Sequence, residues 1–77
     1  METTLANLRT GEKGVITGFN LPQEILLRLM ELGFLEGNEV QLIRFAPLRD
    51  PLEVGILNSR ISIRRTEAGG IRLKRLG

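Results

Sequence analysis

Apolar residues fall at alternate positions through most of this chain, and one stretch departs from that rhythm. From Gly14 to Phe19, Val15, Thr17 and Phe19 alternate with Ile16 and Gly18, a period-two segment with apolar residues on both sides that predicts a strand. Ahead of it, Leu5 and Leu8 are spaced for one side of a short turn. Thr10-Gly11-Glu12-Lys13-Gly14 then reads as a turn by its two glycines.

From Leu21 to Leu32 the period becomes helical. Asn20 offers an N-cap, Gln23 stands three residues on where a capping-box side chain belongs, and Pro22 lies where a missing N–H costs nothing. Gly33 is the expected residue after the helix, free to turn left-handed, with Phe34 or Leu35 packing back on the last turn. At about 100° per residue, Glu24, Arg28 and Glu31 make one narrow polar stripe, supported by the spacing of Glu24 and Arg28. Ile25, Leu29 and Leu32 suffice for the core-facing seam, with Leu26 on its flank. Leu27 and Met30 lie further round, so the apolar arc exceeds the roughly 100° that a surface helix needs. Either the helix is wedged between the sheet and the N-terminal turn and buried on two sides, or Leu27 and Met30 form an exposed patch that docks on a partner.

The second half is strand and turn. Val40, Leu42 and Arg44 alternate with Gln41, Ile43 and Phe45 after the turn Leu35-Glu36-Gly37-Asn38. The two prolines of Ala46-Pro47-Leu48-Arg49-Asp50-Pro51 remove backbone donors and exclude a central strand there. Leu52–Leu57 and Arg60–Arg64 are expected to form a hairpin around Asn58-Ser59, with Val54, Ile56, Ile61 and Ile63 inward and Arg60, Ser62 and Arg64 outward. Thr66 to Gly70 makes a short turn with room for one turn of helix. Ile71–Arg75 closes the chain as a strand with Ile71 and Leu73 in, Arg72 and Lys74 out.

Five short strands and one helix cannot cover both faces of a flat sheet, but a sheet closed on itself with the helix at an open end can. The expected fold is mainly β: a small, five-stranded, strongly bent barrel with one inserted α-helix at about 21–32, in a single domain over residues 1–77. Gly18 and Gly55, inside strand patterns, are consistent with the bulges or corners where such a barrel bends.

Composition narrows the chemistry. The 77 residues include no Cys and no His, which removes disulfides, thiolate sites, the commonest general base and the commonest transition-metal ligand. Trp and Tyr are absent too, so Phe19, Phe34 and Phe45 are the only aromatic residues and no stacking platform for bases can be built. Lys13 and Lys74 fall in turn and strand positions, and no Ser or Thr has a plausible base beside it, so no enzyme, cofactor or small-molecule substrate is expected. No run of about 18 apolar residues exists, and residues 1–10 lack the pattern of a signal peptide, so an intracellular, soluble protein is expected.

The net charge of +2 hides a split. Residues 1–43 carry three basic against six acidic side chains, and residues 44–77 carry eight basic against three acidic. Such a division can be ordinary solvated surface, or a basic face that meets an anionic partner.

Taken in order, Leu8, Gly11, Gly14 and Ile16, then Arg28-Leu29-Met30-Glu31-Leu32-Gly33-Phe34 with Gly37 and Val40, then Arg44, Ala46-Pro47-Leu48 and Asp50-Pro51, then Ile61-Ser62-Ile63-Arg64 and Glu67-Ala68, resemble the FeoA family. The likeness runs from about Leu5 to Leu73, and RLMELGFLEGNEV and APLRDPLEV are its most specific pieces. It implies a barrel of the Src-homology-3 (SH3) type with an inserted helix. It also implies a small cytosolic protein of bacterial ferrous iron uptake, acting on FeoB, the membrane iron transporter with a cytosolic GTPase domain. Arg49 departs from the family pattern, standing where members commonly have Gly, and Asn58-Ser59 replaces the usual Gly-aromatic pair.

Iron itself prefers imidazole, thiolate or grouped carboxylates, and here only Glu36 and Glu39 pair in sequence, within a turn. No metal site is therefore expected, and the link to iron is expected to run through protein contact. The candidate contact residues are Leu27, Met30, Arg44, Arg49, Arg60, Arg64 and Arg65, with FeoB as partner, self-association alongside, and a cytoplasmic place that becomes peripheral to the inner membrane face through the partner. The alternative is a nucleic-acid-binding barrel using the basic half, disfavoured by the missing Tyr and Trp.

Overall fold

The computed structural model describes residues 2–77 and places the regular elements close to where the alternation puts them. They are β1 (Glu2–Thr4), a 3-10 turn (Leu5–Asn7), β2 (Lys13–Phe19), α1 (Gln23–Glu31), β3 (Glu39–Phe45), β4 (Leu52–Ile56), β5 (Ser59–Ile63), α2 (Arg65–Ala68) and β6 (Ile71–Leu76). The strands make one antiparallel sheet in the order β1-β6-β2-β3-β4-β5. The count is six instead of five: the three residues of β1 pair with β6 through Glu2↔Lys74 and Thr4↔Arg72. Without a partner 70 residues away, so short a segment carries no period for a sequence reading to detect.

Bending is concentrated at two places. The β2–β6 register shifts between Ile16 and Gly18, and the β3–β4 register between Leu42 and Arg44. Gly18 therefore sits at a bulge, as its place in the pattern suggested, whereas Gly55 pairs regularly with Gln41 and Arg60. The bent sheet wraps a core of Ile16, Val40, Leu42, Leu52, Val54, Ile56, Ile63, Ile71 and Leu73. Leu5, Leu8, Leu29, Phe34 and Ala68 fill it from the two short turns and α1. The 3-10 turn packs against α2.

Helix α1 ends as Gly33 requires. With φ at +105°, Gly33 donates its N–H to the Met30 carbonyl and Phe34 donates to the Leu29 carbonyl, both at 3.0 Å, and Phe34 turns into the core. The start differs from the sequence reading. Pro22, not Asn20, takes the capping position without a side-chain cap, because the Asn20 N–H is drawn to the Gly70 carbonyl at 2.7 Å and ties the chain to the turn before β6. The β4–β5 turn is also displaced by one residue: Ile56 pairs with Ser59, leaving Leu57-Asn58 as the turn. Leu57 takes φ of +53°, a left-handed conformation that costs a non-glycine residue about 1–2 kcal/mol.

Candidate functional site

On α1 the choice between two-sided burial and an exposed patch is settled by geometry. Leu29 is buried and Ile25 and Leu26 are half-buried, while Leu27 is 51% and Met30 38% exposed. Leu32, expected in the core seam, is 42% exposed, because the helix meets the barrel only through the side centred on Leu29. Leu35 is 41% exposed beyond the helix end, and Leu57 lies against Gly33, so close that a Cβ on Gly33 would stand 2.7 Å from its Cδ1. The result is an apolar shoulder of Leu27 and Met30 on one flank of α1, with Leu32 exposed on the other flank, at about 100° per residue, and Leu35 and Leu57 exposed around the helix end.

Beside the shoulder runs an open cleft of about 580 Å³, lined by Arg28, Leu29, Leu32, Asp50, Pro51, Ser62, Arg64 and Glu67. Arg28 donates to the carboxylate of Glu67, whose side chain is nearly buried, and so bridges α1 to α2. The other carboxylate oxygen of Glu67 accepts from the Arg64 N–H at 3.4 Å, and Asp50 Oδ1 accepts from the Arg65 N–H at 3.0 Å. The floor is thus held by charged hydrogen bonds that join the 46–51 loop, α1 and α2. Asp50 and Pro51 are linked by a cis peptide bond.

The seven residues singled out in the sequence divide into separate regions. Leu27 and Met30 lie on the shoulder, and Arg64 lines the adjoining cleft. Arg44 and Arg60, on the strands either side of β4, both reach Glu53, at 2.9 and 3.6 Å, and share its one carboxylate. Arg49 and Arg65 line a second concavity with Arg9. Arg49 holds φ of +66°, which explains why a glycine suits that position, and its guanidinium carbon stands 4.2 Å from the centre of the Phe45 ring. The residues missed from sequence are Arg28, Glu67, Leu32, Leu35 and Leu57. For Leu57 a signal existed, since an apolar residue in a hairpin turn is out of place.

Metal donors are sparse: the chain has neither Cys nor His, and among the described residues no three acidic side chains come together. That donor chemistry does not fit a resident transition metal. Among the described residues, no helix is long and apolar enough to cross a membrane.

A profile of the FeoA domain matches residues 3–75. Among curated proteins, the chain is 33% identical over 70 residues to the Fe(2+) transport protein A/Fe(2+) transporter FeoB fusion protein of Porphyromonas gingivalis. That match covers 91% of this chain but 8% of the fusion protein. Among solved structures, FeoA of Chlorobium tepidum superimposes with a TM-score of 0.93 at 35% identity, covering 97% of this chain and 71% of that one. FeoA of Stenotrophomonas maltophilia, solved with zinc and described as an SH3 domain protein, gives 0.82 at 29% identity over 94% and 89%.

Proposed function

Because this chain belongs to the FeoA domain family, we propose that it is an accessory protein of bacterial ferrous iron uptake that works in the cytoplasm by contact with the transporter FeoB. The observation that carries this reading is the fusion relative, in which a segment like this one and FeoB share one polypeptide. Two modules joined in one chain in one organism are candidates to bind as separate chains in another.

The apolar shoulder is the docking surface this reading favours. Leu27 and Met30 are exposed on one flank of α1, and Leu57, exposed beside Gly33 at the helix end, holds a disfavoured backbone conformation. The cleft beside it supplies Arg64 and the Arg28–Glu67 pair as polar neighbours that fix orientation. A partner seated there would cover Leu27, Met30 and Leu57 and bring the GTPase or gating cycle under its influence. With Arg64 at the rim, association is expected to be faster at low salt.

The test is capture of the purified cytosolic domain of FeoB from the same organism by this chain. Leu27→Glu is expected to abolish capture and Arg64→Glu to weaken it. If both variants capture the domain as the wild type does, the shoulder is the wrong surface. If the wild type fails to capture either the domain or full-length FeoB in detergent, the functional reading itself falls.

A further inference from the structure

A second concavity, of about 370 Å³, opens between the segment 6–10 and the 46–51 loop, and it is lined by Ala6, Asn7, Leu8, Arg9, Thr10, Phe45, Arg49 and Arg65. Its chemistry is one-sided: three guanidinium groups and no carboxylate. Ion pairs among the described residues engage Lys13, Arg28, Arg44, Arg60 and Arg75, and none engages Arg9, Arg49 or Arg65.

The carboxylates closest in sequence are engaged elsewhere. Glu12 Oε1 accepts from the Arg9 backbone N–H at 2.6 Å, and Asp50 Oδ1 accepts from the Arg65 backbone N–H at 3.0 Å. These bonds fix the main chain at two of the arginines, and no carboxylate of the described residues stands within ion-pair distance of their guanidinium groups. Arg49 is held differently. Its N–H donates to the Ala46 carbonyl at 2.7 Å, its φ is +66°, and its guanidinium stacks on Phe45. Stacking uses the face of the guanidinium and leaves its N–H edge free for an acceptor. A side chain kept at a backbone angle suited to glycine, next to two other unpaired arginines, is a costly arrangement for a surface that does nothing.

We infer that this concavity binds a phosphate group. One carboxylate, with two oxygens and one charge, is satisfied by a single guanidinium fork. Three arginines lining one concavity match a group with at least three terminal oxygens and close to two charges. The phosphate can belong to a soluble phosphomonoester or to the phosphomonoester headgroup of phosphatidic acid, which present the same three terminal oxygens.

The experiment titrates the full ¹⁵N-labelled chain with sodium pyrophosphate, against sodium chloride at equal ionic strength. Saturable shifts are expected at residues 6–10, Arg49 and Arg65. Arg49→Gly and Arg65→Gln are each expected to weaken binding about tenfold, as loss of a charge-assisted bond does. Arg49→Gly also removes the backbone strain, so its loss of binding cannot come from unfolding. Arg44→Gln, at an arginine already paired with Glu53, is expected to leave binding unchanged.

A second arm sediments the protein with phosphatidylcholine vesicles that contain phosphatidic acid and with vesicles of phosphatidylcholine alone. Co-sedimentation with the anionic vesicles alone, lost in Arg49→Gly and Arg65→Gln, assigns the phosphate to a lipid headgroup. Pyrophosphate binding without it assigns a soluble phosphoester. The inference is overturned if neither probe binds saturably, or if Arg44→Gln weakens binding as much as the other two.

Discussion

Arg28 and Glu67, 39 residues apart, form an ion pair that fastens the inserted helix to the single helical turn before the last strand. Glu67 is nearly buried while the Arg28 side chain is more than half exposed, so water screens one end of the pair. Arg28→Met is expected to cost about 1 kcal/mol, below the about 1.5–3 kcal/mol of a fully buried charged hydrogen bond, because of that screening. Glu67→Gln keeps shape and an acceptor and should cost less than Glu67→Ala. Urea unfolding with an unchanged slope, extended to the double variant, measures the coupling.

Leu57 separates stability from binding. It is 68% exposed and holds φ of +53°. Asn tolerates that conformation and carries no apolar surface. Leu57→Asn is expected to hold or raise stability, by up to about 1 kcal/mol, while weakening capture of the FeoB cytosolic domain. Thermal melts and the capture assay on the same preparation check both halves.

The neighbouring glycines before β6 should respond in opposite directions. A Cβ on Gly69, which is helical at φ −64°, would meet only ordinary contacts at 3.6 Å. Gly69→Ala is therefore expected to stabilise by about 0.4–1 kcal/mol through the unfolded chain. A Cβ on Gly70 would stand 2.5 Å from the Asn20 carbonyl oxygen and collide with the Leu21 side chain. Gly70→Ala is expected to lose about 2 kcal/mol or more, as the tie between Asn20 and Gly70 must open. Melting temperatures of the two variants should straddle that of the wild type.

Acid should weaken the fold partly through Glu12. The Arg9 backbone N–H bonded to its carboxylate, and the Arg75 guanidinium beside it, hold its pKa below the ordinary glutamate value. A carboxylate depressed in the folded state stabilises above its unfolded pKa of about 4.3, and that contribution disappears as the pH falls through the folded value. Glu12→Gln is thus expected to flatten the fall in melting temperature below about pH 5 and to leave its shape above pH 6 unchanged.

Local alternation was enough to place the strands because one-sided burial imposes period two, and Ile16, Val54, Ile56, Ile63, Ile71 and Leu73 all turn inward as their positions require. What escaped was set by distant partners. Asn20 was drawn away from its cap by Gly70, the β4–β5 turn moved because Leu57 accepts a left-handed angle, and β1 exists through its pairing with β6. The site divided along the same line. The excess of apolar positions on the helix already pointed to Leu27 and Met30. The cleft joins Arg28 to Glu67, and the basic concavity joins Arg9 to Arg49 and Arg65, through a sheet that brings together residues with no relation along the chain.

Pairing Glu2 with Lys74 sets the first and last strands side by side, running in opposite directions. A domain whose ends emerge together can be spliced into a host protein, or joined to one at either terminus, without stretching its sheet. The same adjacency makes circular permutation practical. A short flexible link between the ends, with new termini opened at the exposed Leu48-Arg49 tip, should still fold, and would carry the shoulder into an engineered chimera while freeing the loop side of the cleft.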